Sequence, residues 1–254
     1  MSEAKPMSKI NIVLDKDFNV DELRNSVFIT GYTGFGLVGY LASRHIAYTL
    51  SMERIGFIET KYMPETTFYT NTYGIVYPFE LFYKRLRGDL KILVLINHTI
   101  PSTRERTLYV KKVCRWVKEV GVSQAILIGG LDPAIREDPN EKYRWIPIGG
   151  YTGKLSAPIL EEKYVVGPLA LTIMYLDAYR VPGVVMLSYA EPYRPDPRAT
   201  AVIVTEISKM LGISIDVSDL YEEAKTIERI EDRMTELLER IQESGEKREH
   251  PMYM

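Results

Sequence analysis

The chain has 254 residues, with 32 Lys plus Arg against 34 Asp plus Glu and a formal charge of −2. That near-neutral balance excludes a general nucleic-acid binder, which shows a basic excess or stripe. Hydrophobic residues at 46% and charged residues at 26% exclude wholesale disorder. The longest apolar stretch, 165–176, holds Gly167 and Pro168 and is too short to span a bilayer. Positions 1–20 carry Glu3, Lys5, Lys9, Asp15, Lys16 and Asp17, which leaves no apolar signal-peptide core. The expectation is a soluble cytoplasmic protein. The single cysteine, Cys114, falls at helical spacing with Val110, Val113 and Val117 and reads as core.

In chain order, Val27–Thr30 is a short apolar strand that runs into Gly31, Gly34, Gly36 and Gly39, and a helix follows to Leu50. Arg54–Thr60 alternates as a second strand, and Thr67–Thr70 with Tyr73–Tyr77 flank a hairpin-like turn. Leu90–Asn97 is a continuous apolar run fit for a strand buried on both faces. Thr103–Val120 is an amphipathic helix, Gln124–Ile128 a buried strand ending at Gly129-Gly130, and Tyr143–Ile148 an edge strand. A helix over Gly167–Tyr179, a strand over Val184–Ser188 and a helix over Asp196–Leu211 complete the body. Alternating strands and helices predict an α/β fold, three-layer α/β/α, around a mostly parallel mixed sheet. Residues 1–218 read as the domain, 219–243 as a C-terminal helix and 244–254 as a flexible tail. Ser218 is placed to cap that helix, and Leu220, Ala224, Ile227, Met234, Leu238 and Ile241 fall near heptad spacing. A coiled coil between subunits and a helix docked on its own domain both remain open.

Gly34-Phe35-Gly36-Leu37-Val38-Gly39 fits the dinucleotide fingerprint, and Glu59 lies where a ribose contact would be wanted. The chain that follows, 61–77, reads as extended rather than as strand–helix–strand, so the expected use of the glycines is a tight turn and close helix packing. Gly149 to Ser156 mimics a phosphate loop, but only three residues separate Gly149 from Gly153 and Leu155 replaces the required hydroxyl. His45, His98 and His250 are too scattered for a metal cluster. His98 follows the strongest strand, at the carboxyl edge where α/β proteins place ligands, with Ser102 either a helix cap or a catalytic hydroxyl. Asp196 reads as a cap behind Pro197, with Arg198 paired to it. No catalytic residues, cofactor or metal are assigned.

The glycine turn Gly31–Gly39, the strand Asp89–Ile96, Leu127-Ile128-Gly129-Gly130, Val181-Pro182-Gly183, Pro195–Ala199 and Leu211-Gly212-Ile213 follow one another in an order that resembles the archaeal proteasome-assembly-chaperone family, second type. The likeness covers roughly residues 20–240. The chain departs from that pattern at Thr33, where relatives often carry Pro, and at Asn97-His98, where Gly-Glu is common. The resemblance implies a fold like the nucleoside-phosphorylase class, a homo-oligomer (a tetramer is the guess), and handling of proteasome α subunits or the 20S core particle without ATP.

The chain ends Met252-Tyr253-Met254, which looks like the hydrophobic–tyrosine–any-residue signature used for docking between adjacent α subunits. Tyr253 offers a broad ring and a hydroxyl, Met252 adapts to an irregular groove, and the Met254 carboxylate suits a buried ammonium. These three residues are the expected proteasome-binding site. The competing expectation is a small-molecule hydrolase or transferase working at the sheet edge near Gly34–Gly39 and His98.

Overall fold

A computed structural model describes residues 10–246. Its elements run β1 (Asn11–Leu14), β2 (Val27–Gly31), α1 (Val38–Thr49), β3 (Glu53–Glu59), β4 (Phe68–Thr70), β5 (Gly74–Val76), β6 (Phe79–Arg85), β7 (Lys91–Asn97) and α2 (Arg106–Glu119). They continue with β8 (Gln124–Leu131), β9 (Tyr143–Ile148), α3 (Gly167–Ala178), β10 (Gly183–Tyr189), α4 (Pro197–Leu211) and α5 (Ser218–Glu246). Eight strands form one sheet in the order β1-β3-β6-β7-β2-β8-β10-β9, and β4 and β5 form a separate antiparallel hairpin. The middle of the sheet, β7-β2-β8-β10, pairs in parallel, while both flanks pair antiparallel.

The apolar runs of the central strands feed two cores at once because successive side chains alternate between faces. Phe28, Leu93, Leu127 and Leu187 pack under α2 and α3 with Val113, Cys114 and Leu176. Ile29, Val94, Ile126 and Met186 pack under α1 and α4 with Ala42, Ile46 and Ile203. The three-layer α/β/α architecture follows directly. Strands β1 and β6 add to the pattern read from sequence. In β6, Phe79-Glu80-Leu81-Phe82-Tyr83 is buried throughout, so neither alternation nor an uninterrupted apolar run marks it.

Several local expectations take a different form. Asp196 does cap α4, accepting the Ala199 amide at 2.9 Å, but Arg198 pairs with Glu228 on α5 at 2.6 Å rather than with Asp196. Ser102 does not cap α2; its hydroxyl accepts the Arg104 amide at 3.4 Å, within the preceding turn. At the start of α5 the acceptor is Asp216, whose carboxylate takes the Ser218 amide at 2.9 Å and its hydroxyl at 2.7 Å. Helix α5 packs on α4, burying Leu220 and Ala224, while Ile230 and Met234 are exposed further along it. It runs to Glu246, three residues into the segment read as tail.

Candidate functional site

The carboxyl ends of the parallel strands hold the glycine turn and His98, in two separate corners. The first is the glycine turn after β2. Gly36 and Leu37 are both left-handed, with φ of 60° and 51°, and aim the chain from β2 into α1. A Cβ on Gly39 would sit 2.5 Å from the Ile128 carbonyl oxygen, and one on Gly31 would sit 2.4 Å from the Gly39 Cα. Both contacts are backbone, so only glycine allows α1 to lie this close to β2 and β8. Gly130 likewise would drive a Cβ to 2.4 Å from the Phe35 carbonyl oxygen. The structure thus uses these glycines for packing. Glu59 meets Asn11 of β1 at 2.9 Å across the antiparallel flank, two strands removed from β7 and three from β2.

Beside that turn lies a cavity of about 360 Å³, walled by residues 32–35, by residues 128–131 at the end of β8, and by residues 164–166 leading into α3. None of its lining residues is charged. Around it the sheet edge is rich in exposed rings: Phe35 is 39% exposed, Tyr164 96% and Tyr193 98%.

The second corner is built on Glu80, which is fully buried in β6. Its carboxylate meets the Arg54 guanidinium at 2.8 Å and His98 Nε2 at 3.0 Å, and accepts the Tyr77 amide at 3.2 Å. The other ring nitrogen of His98 lies 3.3 Å from the Tyr40 hydroxyl, which also accepts from Arg44 at 3.3 Å. Phe68 of the β4–β5 hairpin packs edge-on against the His98 ring. A buried carboxylate persists only when paired and hydrogen-bonded, and Arg54 of β3, His98 after β7 and the Tyr77 amide before β6 meet that need for Glu80. His98 is not among the residues that line the cavity.

Next to His98, Asn97 is also consumed by structure. Its amide donates to Thr30 Oγ1 at 3.1 Å and to the Gly31 carbonyl at 3.0 Å, and its oxygen accepts from the Tyr109 hydroxyl at 2.8 Å. Asn97 and His98, at which the chain departs from the family pattern as it does at Thr33, therefore tie β2, β6, β7, α1 and α2 together. Cys114 is buried, 3.9 Å from the Thr172 carbonyl, and burial pushes its thiol well above the usual range. His45 contacts the Asp216 carbonyl at 2.6 Å and joins α1 to the start of α5. Among the described residues there is no group of three or more His, Cys, Asp or Glu that could hold a metal ion, and no helix long and apolar enough to cross a membrane. Met252, Tyr253, Met254 and His250 lie outside the described residues.

Sequence reasoning missed Glu80 and Arg54. The available signal was a lone acid inside the apolar run 79–83, since an acid in a buried strand requires partners.

An α/β/α layer fold with a mixed sheet, a backbone-packed glycine turn and an uncharged carboxyl-edge cavity defines the class of this molecule. Residues 28–235 match the PAC2 family, and the chain belongs to it. Among solved structures it is similar to Pyrococcus furiosus PbaA, described as an archaeal homolog of proteasome-assembly chaperone, with a TM-score of 0.73 at 24% identity, covering 96% of this chain and 99% of that one. It is also similar to Pyrococcus furiosus PbaB, described as an archaeal proteasome activator, with a TM-score of 0.72 at 19% identity, covering 90% of this chain and all of the other. A curated relative, the uncharacterized protein MJ1210 of Methanocaldococcus jannaschii, is 22% identical over 244 residues, or 92% of this chain and 93% of its own.

Proposed function

We propose that this chain is a cytoplasmic, ATP-independent proteasome assembly chaperone or activator. In this reading it is not an enzyme, and it acts as a homo-oligomer whose C-terminal Met252-Tyr253-Met254 tails dock between proteasome α subunits. The observation that carries the reading is likeness along nearly the whole chain to both PbaA and PbaB, within a family that spans residues 28–235. The tail chemistry supports it independently. One docked tripeptide is worth only about −4 to −6 kcal/mol, and several tails on one assembly raise avidity by roughly 10²–10⁴.

The hydrolase or transferase reading needed His98 and the glycine turn to face one chamber. His98 is instead held by Glu80 and Tyr40, away from the cavity lining.

The test is capture of proteasome α subunits or 20S particles by purified chain, with and without residues 252–254. Loss of capture on deletion or in Tyr253→Ala, with circular dichroism and light scattering unchanged, is the expected outcome. Undiminished capture by the deletion variant would refute tail docking. Failure of the intact protein to bind any α subunit would refute the whole reading.

A further inference from the structure

The uncharged cavity has a position in the fold that the proteasome reading does not use. Strand β2 leads into α1 on one face of the sheet, and its neighbour β8 leads first to the edge strand β9 and from there, through residues 149–166, into α3 on the opposite face. Neighbouring parallel strands whose connections part to opposite faces leave a crevice beyond their carboxyl ends, the place where open α/β sheets bind ligands. The cavity sits in this crevice, between the turn at Thr33 and Gly34 and the end of β8 at Gly129. Its volume of about 360 Å³ falls within the span of small-molecule sites. The space beside the turn is open at Gly34, whereas at Gly129 the Leu169 and Leu187 side chains already stand where a Cβ would go, at 2.7 and 2.9 Å. A Cβ on Gly34 would meet nothing within 4 Å.

The lining sets the chemistry of the occupant. With no Arg, Lys or His in the wall, a phosphate or a dianion would be buried without a counter-charge, at prohibitive cost. Leu169 and Leu187, from the core under α2 and α3, border the cavity with apolar side chains, and Thr33 is a lining residue with a polar side chain at the turn. Tyr164 and Val166, exposed at 96% and 77%, border the opening and have apolar surface left to cover.

We propose that this cavity at the β2–β8 divergence is a binding site for a small, uncharged, largely apolar molecule bearing one hydrogen-bonding group, such as a medium-chain acyl amide or a neutral aromatic. It is independent of the tail and of the proteasome.

The experiment is a fluorescence titration of the full chain with N-phenyl-1-naphthylamine, followed by displacement with octanamide and with octanoate. Saturable one-to-one binding is expected, with octanamide displacing the probe at a concentration at least tenfold lower than octanoate. Gly34 has an extended backbone, with φ −151° and ψ −152°, and not a left-handed one. Gly34→Trp should therefore keep the fold, checked by circular dichroism, and weaken probe binding at least tenfold. Thr33→Phe, which fills the same cavity from the adjacent position, is the second variant should the first not fold. Tyr69→Ser, on the exposed β4–β5 hairpin, should bind the probe as wild type does. Absence of saturable binding, or binding unchanged in a folded cavity-filling variant, would overturn the site. Equal or better displacement by octanoate would overturn the uncharged ligand class.

Discussion

The two corners of the carboxyl edge solve the same problem with opposite chemistry. At β6 and β7, Glu80, Arg54 and His98 place charge inside the protein and neutralise it through contacts from several elements. At β2 and β8, glycines bring backbone against backbone and leave an uncharged space beside them. The residues with catalytic character therefore belong to the corner that has been filled, and the open space belongs to the corner without them. A His–Glu pair at a sheet edge is thus no guide to an active site unless a chamber faces it.

The sharpest way to break both corners at once is alkali, through Tyr32 beside the cavity and Tyr109 beside Asn97. Burial raises the phenols of Tyr32 and Tyr109 above their usual range. The unfolded chain releases these protons near pH 10 while the folded one keeps them, so their contribution is complete below about pH 10. It is lost as pH rises toward the folded values, at about 1.4 kcal/mol per pH unit for each phenol. Urea midpoints measured from pH 8 to 12 should be flat at first and then fall. Tyr109→Phe should remove its share of the slope, with Tyr32, Tyr48 and Cys114 among the groups that keep the rest, and an unchanged slope would contradict this account.

The charged corner should be broken by Glu80→Ala, which strands Arg54 and His98. We expect a loss of about 3 kcal/mol in denaturant unfolding, at the lower end for a broken buried pair because Arg54 is partly exposed. A loss below about 1 kcal/mol would mean that the cluster is already open to water. Gly39→Ala forces backbone apart at the neutral corner and should cost about 2 kcal/mol, with accompanying shifts in the amide resonances of Tyr32 and Ile128. Asp196→Ala removes a single cap and should cost about 1 kcal/mol. The smallest effect is Arg198→Ala. Its partner Glu228 is solvent-facing, and the melting temperature should stay within error of wild type.

The helices and central strands of the fold were legible locally. Continuous apolar runs such as residues 90–97 and helical spacing around Cys114 state their burial without reference to anything distant. The glycine turn was legible too, because three glycines before a helix announce close backbone approach whatever the ligand. Strand β1 was not, being only four residues long and half exposed. Strand β6 was hidden by Glu80, whose acceptability in a buried position depends on Arg54 and His98, 26 and 18 residues away.

The sequence by itself determined the layer order, the packing use of the glycines, the burial of Cys114 and the membership of the chain in its family, because each is carried by neighbouring residues or by ordered motifs. Only the tertiary structure decided that His98 serves Glu80 rather than a chamber, that Arg198 reaches α5, and that β2 and β8 part to leave an uncharged crevice. Those outcomes depend on which strands become neighbours, and pairing partners are chosen by the summed burial of both faces of the sheet rather than by any local run of residues.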